Sequence, residues 1–194
     1  MYMYLEYYFE TKKEYKTSLI ISYLGYKSVI INDPYRPIKF DIVLTRQENS
    51  LGEVLIASDT WSRAKKLREF KRQFLGATLE GQSCVILNED DIDLWFEEKN
   101  ETLNASCDVP IRIKNNRLGY EISYDLNAFS AKYDRPKKQN PYCRFVHYEG
   151  SSFYKDLSLT ASNRIFFKGK REEAYTGSVM HFMRSITSNS IKDE

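Results

Sequence analysis

PIRIKNNRLGYEISYDLNAF, residues 110–129, decides the fold. Ile111 and Ile113 alternate with Arg112 and Lys114; beyond Asn115 and Asn116, Tyr120, Ile122, Tyr124 and Leu126 alternate with Glu121, Ser123 and Asp125. A period of two sends the apolar set to one face of a pleated strand and the polar set to the other. The stretch therefore predicts a half-buried antiparallel hairpin. It contains no chemistry of its own.

Working outward, strand-like segments recur at residues 84–87, 94–96 and 103–107 before the hairpin, and at 144–148, 153–157 and 165–167 after it. Near the start, residues 19–23 alternate, Gly25 interrupts, and residues 27–31 resume. Asn32, Asp33, Pro34 and Pro37 then make a turn before Phe40, Ile42 and Leu44, and residues 54–57 form a further short strand. Between these groups, Trp61, Ala64, Leu67, Phe70, Phe74 and Leu75 fall on one side of a helix, with Asp59 or Ser58 as its cap and Gly76 as its stop. Its other side carries Arg63, Lys65, Lys66, Arg68, Lys71 and Arg72, which reads most simply as a solvated face. The polar run 132–141 reads as a hydrated connection. Ser178 caps a short helix with Val179, Phe182, Met183 and Ile186 on one side, and residues 187–194 form a polar tail. The predicted fold is a β-rich α+β protein: a partial β-sandwich over residues 1–57, a linking amphipathic helix over 58–76, and a mainly antiparallel β domain over 77–194 closed by a short C-terminal helix.

Composition excludes more than it assigns. With 194 residues and 42% hydrophobic content the chain can bury a sizeable core. Its 29 Lys and Arg against 27 Asp and Glu leave a formal net charge of +2, which makes no electrostatic case for nucleic acid or an anionic membrane. Fifteen tyrosines and an aromatic share of 14% favour pleated, half-exposed surfaces. Glu6 and Glu10 interrupt the aromatic opening before an apolar core of a signal peptide forms. No apolar run approaches the roughly 20 residues that span a bilayer, so no transmembrane segment is expected.

Chemistry-bearing patterns are scarce. His147 and His181 belong to no zinc-binding pair, and there is no nucleophile elbow, phosphate-binding loop or dinucleotide fingerprint. Cys84, Cys107 and Cys143 lie in no Cys-x-x-Cys arrangement and read as small buried hydrophobes. Glu89, Asp90, Asp91, Asp93, Glu97 and Glu98 cluster without the glycine and terminal glutamate of a calcium loop. Paired carboxylates among them could serve a hydrolase; a solvated turn followed by an exposed strand explains them more simply. The sequons at Asn100 and Asn104 are short matches.

In order along the chain, Ser22-Tyr23-Leu24-Gly25-Tyr26-Lys27, the strand to Leu44 and Leu51-Gly52-Glu53-Val54 resemble the second half of a carboxypeptidase-regulatory-like domain. This is a transthyretin-type β-sandwich of bacterial envelope proteins. Trp61, Phe74-Leu75-Gly76, residues 84–88, Pro110, Leu118-Gly119-Tyr120, Tyr175-Thr176-Gly177-Ser178 and His181-Phe182 resemble the region that follows it in one group of these proteins. The family's early Gly-x-Val-x-Asp and Thr-Gly-Glu-Pro-type strands are missing, so the resemblance implies a sandwich truncated at its amino end. It also implies a noncatalytic binding or assembly module of a Gram-negative cell envelope, in the periplasm or associated with the outer membrane. The expected partner is a protein or glycan, not nucleic acid, with no catalytic residues, cofactor or metal site. Read from Met1 alone, without a signal peptide, the chain would be cytoplasmic. The alternatives are a carboxylate-dependent hydrolase built on residues 89–98 and a nucleic-acid-binding module using the basic helix.

Overall fold

The alternation around residues 110–129 extends through a six-stranded antiparallel sheet. The computed structural model describes residues 18–21, 23, 26, 28–35, 40–46, 60–134 and 142–188. The chain divides into two compact units, Met1–Gly52 and Glu53–Glu194.

In the first unit, strands β1 (Leu19–Ile21) and β2 (Val29–Ile31) pair antiparallel, with Ile20 opposite Ile30. Tyr26 forms an isolated bridge with Arg46. Phe40, Ile42 and Leu44, expected as a strand, join no ladder among the described residues. The strand expected at 54–57 lies outside the described residues.

The second unit opens with helix α1 (Arg63–Leu75) and the single turn α2 (Leu79–Gln82). The cap of α1 is Ser62, whose Oγ accepts from the Lys65 N–H at 3.4 Å, and not the expected Asp59 or Ser58. Gly76 ends the helix at φ +82°, a left-handed backbone that glycine adopts without a Cβ penalty. The sheet follows: β3 (Cys84–Ile86), β4 (Ile92–Glu97), β5 (Thr102–Cys107), β6 (Ile111–Asn115), β7 (Tyr120–Asp134) and β8 (Tyr142–Asp156). β3 pairs with β6 and β4 with β5 in one unbroken register, from Cys84 opposite Asn115 to Glu97 opposite Thr102. The six strands are therefore four long rows of an antiparallel meander, the first two interrupted midway.

At that interruption a side chain replaces the backbone ladder. Asn88 Oδ1 accepts from the Arg112 N–H at 2.7 Å, and its Nδ2 donates to the Pro110 carbonyl at 3.2 Å. Backbone groups that would otherwise lose their partners keep them. Single-residue irregularities elsewhere preserve the faces. Between Leu126 and Ala128 the β7 register against β8 shifts by one, so Asn127 is an extra residue on β7. The apolar series Tyr120, Ile122, Tyr124, Leu126 thus continues on the same face as Phe129, Ala131, Tyr133.

That face is the core. Ile86, Ile92, Leu94, Phe96, Leu103, Ala105, Ile111, Ile113, Leu126, Phe129, Ala131 and Tyr133 are buried with Trp61 and Phe70. Trp61 stacks on Phe96 at 4.2 Å between centroids; Phe70 meets Phe129 edge-on at 4.8 Å, and Phe74 meets Tyr124 at 5.0 Å. Helix α1 thus lies on the sheet as part of the second unit, because its apolar side has this surface to cover. The three cysteines line the same core as half-buried free thiols.

Two further expectations change. Residues 144–148 and 153–157 are expected as separate strands, yet β8 runs through from Tyr142 to Asp156. A Cβ on Gly150 would lie 2.2 Å from the Asp125 carbonyl oxygen and 2.4 Å from the Tyr124 ring. Gly150 marks a close approach of the backbone within the strand. Residues 165–167 were expected as a strand but lie in helix α3 (Ala161–Tyr175). Thr160 caps it by accepting from the Asn163 N–H at 3.2 Å, and ion pairs Lys168–Glu172 and Lys170–Glu173 follow its turns. The last helix, α4 (Val179–Ser188), starts beyond Ser178 as expected, with Ser178 Oγ accepting from the His181 N–H at 3.1 Å. Its side chains Val179, Phe182, Met183 and Ile186 are exposed, while Ser185 is buried.

Truncating the fully buried ring by Phe70→Ala should cost about 3–5 kcal/mol, whereas Phe166→Ala on exposed α3 should stay within about 0.5 kcal/mol. Urea unfolding of the two variants checks this; equal losses would contradict the packing described.

Candidate functional site

The sheet has a second face, opposite α1. Register places Trp95, Asn104, Ser130 and His147 side by side across β4, β5, β7 and β8, and Glu97, Thr102, Lys132 and Phe145 in the neighbouring row. Directly opposed residues of adjacent strands share a face. Trp95, Phe145 and Phe153 expose 47%, 58% and 70% of their surface, so large rings stand in solvent around short hydroxyl and amide side chains. Phe145 and His147 lie parallel at 6.5 Å, and His147 Nε2 sits 3.2 Å from Glu149 Oε1. Arg112 pairs with Glu121 at 3.4 Å on the same face.

Among the described residues no strand pairs with the outer edge of β8. Its residues alternate between the α1 side, with Val146, Tyr148 and Tyr154, and the open side, with Phe145, His147 and Phe153. An edge of 15 residues with exposed rings can take up an extended segment.

The residues considered for catalysis do not converge. Glu89 pairs with Lys71, Asp91 Oδ2 accepts from Asn88 Nδ2 at 3.0 Å, Asp93 and Glu97 stand exposed on β4, and Glu98 accepts from Thr60. Among the described residues no three His, Cys, Asp or Glu side chains are placed to hold a metal ion. Burial pushes the Cys84, Cys107 and Cys143 thiols up from their ordinary values, which keeps them protonated and weakly nucleophilic. Burial, with Glu69 beside it, also raises Tyr133 well above the phenol range; its hydroxyl donates to Glu69 Oε2 at 3.2 Å as a core contact.

The basic side of α1 is largely occupied within the protein. Arg63 donates to the Ile92 and Glu89 carbonyls at 3.1 and 2.9 Å, Lys65 lies 3.7 Å over the Trp61 ring, and Lys71 pairs with Glu89. These side chains fasten the helix to the end of β4. His181 is likewise committed, its Nδ1 accepting from the Gly177 N–H at 3.1 Å.

One cluster escapes sequence reading. Arg171 of α3 donates to the Leu118 and Gly119 carbonyls at 2.8 and 3.2 Å and to both oxygens of Asp156 at 2.8 and 2.9 Å, and its guanidinium lies 3.8 Å over the Tyr120 ring. Phe167 stands so close to Gly119, at φ +68°, that a Cβ there would be 2.5 Å from its ring. Arg171 lies 52 residues from Gly119 in sequence, and no local pattern announces that they meet. The cluster docks α3 and has every charge satisfied, so it is structural.

Comparison with known proteins returns no match: no family model, no curated protein and no solved structure is similar to the chain. No helix among the described residues is long and apolar enough to cross a membrane.

Two outcomes follow from this geometry. The Arg171 hydrogen bonds hold the Asp156 carboxyl well below the usual carboxylate range. Their contribution is complete above the ordinary Asp value of about 3.9 and is lost as pH falls through the lower folded value. The protection of α3 amides relative to their intrinsic exchange rates should therefore fall on acidification in the native chain and lose that dependence in Asp156→Asn; protection that falls instead on raising the pH would contradict the assignment. Treatment with a chelator should leave the melting temperature unchanged, and a chelator-dependent fall would reveal a structural metal.

Proposed function

We propose that the chain is a noncatalytic binding or assembly module of a Gram-negative cell envelope, using the open sheet face and the β8 edge to engage a protein or glycan partner. The observation that carries this reading is the row Trp95, Asn104, Ser130, His147 with exposed Phe145 and Phe153 beside it. Exposed rings supply contact area at small entropic cost, and amide and hydroxyl groups between them supply directed hydrogen bonds. The envelope setting rests on the family resemblance of residues 19–185. On this face Arg112 pairs with Glu121, and His147 Nε2 lies beside Glu149 Oε1.

The test measures binding of envelope glycans and of detergent-extracted envelope proteins, in separate arms, to the native chain and to Trp95→Ala/Asn104→Ala. A ligand that loses about tenfold or more in affinity on the variant is the expected result, since exposed aromatic anchors dominate such surfaces. Equal binding by both chains, or chemical conversion of the ligand, would contradict the reading.

A further inference from the structure

The outer edge of β8 is long and carries little of the protection that natural edges have. It contains no proline, its one lysine, Lys155, lies at the far end, and its bulge lies near the start, where the register against β7 shifts between Lys132 and Tyr133. From Phe145 to Tyr154 the only ionisable groups are His147, Tyr148, Glu149 and Tyr154, and the first and third already pair with one another. We propose that this edge pairs with the β8 edge of a second copy of the chain, antiparallel about a two-fold axis at Gly150. The inference rests on the assembly reading above and deepens it.

Chemical complementarity selects the occupant and the register. A two-fold antiparallel pairing opposes residues of the same face only when the axis passes through a residue. With the axis at Gly150, His147 opposes Phe153 of the second copy, Phe145 opposes Lys155 and Glu149 opposes Ser151. Each pair is favourable: a ring against a ring, a cation over a ring, a hydroxyl beside a carboxylate. Moving the axis to Glu149 sets that carboxylate against itself. Moving it to Tyr148 sets two rings together that Phe74 already engages at 5.6 Å. Moving it to Ser151 sets the Glu149 carboxylate against the Phe153 ring. Moving it to Ser152 carries residues 142–147 of the second copy past Asp156, where Arg171 and Ser158 stand, whereas the Gly150 axis carries only Tyr142 and Cys143 beyond it. The Gly150 axis also joins the two open faces into one continuous surface and covers Phe153, the most exposed aromatic ring described.

The experiment is sedimentation equilibrium of the full chain and of two double variants. His147→Lys/Phe153→Lys opposes like charges twice across the axis, and His147→Glu/Phe153→Lys opposes unlike charges at the same places. Directly across β7 these positions face the neutral Ser130 and Ser123, and Glu149 lies beside position 147 in both variants; far-ultraviolet ellipticity verifies folding of each. The native chain and the Glu/Lys variant are expected as dimers, with the Lys/Lys variant dissociating at least about tenfold more readily. A monomeric native chain would overturn the proposal, as would a dimer equally stable in both variants. Either failure leaves the open-face reading to its own test, because Trp95 and Asn104 lie on β4 and β5, away from this edge.

Discussion

The apolar side chains that form the core of the large sheet must all reach the one face that α1 covers, because only there can Trp61, Phe70 and Phe74 close over them. A strand has two faces and a period of two, so one extra residue turns everything beyond it inside out. The irregularities of this sheet obey that constraint. Asn127 adds one residue to β7 and keeps Phe129, Ala131 and Tyr133 beside Leu126. The gap between β3 and β4 leaves Cys84 to Glu97 in a single register, with Asn88 supplying the missing ladder contacts. Where α1 ends, Gly76 lets the chain turn towards β3.

The hairpin end of the sheet is fixed by polar groups. Asn115, only 5% exposed, accepts from the Arg117 and Leu118 N–H groups at 3.1 and 2.8 Å and donates to the Glu80 carbonyl at 3.4 Å. Gly119 then brings the backbone under Phe167, and Arg171 locks α3 to the same turn. A buried amide that satisfies its neighbours specifies a single turn geometry. The sheet's packing and the helix that follows it are thereby joined at one place.

Much of this was legible in the sequence. Strict alternation announced β6 and most of β7, apolar spacing announced α1, β4 and β5, and Ser178 announced the start of α4, whereas the cap of α1 lay at Ser62 and not at Asp59 or Ser58. What was hidden depends on contacts between distant residues. Residues 144–148 and 153–157 read as two strands until Tyr124 and Asp125 are seen packed against Gly150 between them; Ile165, Phe166 and Phe167 read as a strand until Thr160 and the ion pairs of α3 are placed. The open face was harder still. Trp95, Asn104, Ser130 and His147 are spread over more than fifty residues and become neighbours only through register. The acidic run and the basic helix carry the types of side chain that chemistry needs, but Arg63 and the Lys71–Glu89 pair hold α1 beside the start of β4.

Among the described residues only one face of the large sheet is covered, and the open face and the unpaired outer edge of β8 follow from the same rule that builds the core. Two deletions in β7 test that rule most directly, with folding read from the cooperativity of urea unfolding. Removing the extra residue Asn127 leaves Leu126, Phe129, Ala131 and Tyr133 on one face, so the account expects the cooperative transition to persist, whereas removing Ser123 from the regular stretch sets Ile122 and Tyr124 on opposite faces, and the transition is expected to disappear. Loss of cooperativity on deleting Asn127 together with its retention on deleting Ser123 would contradict it.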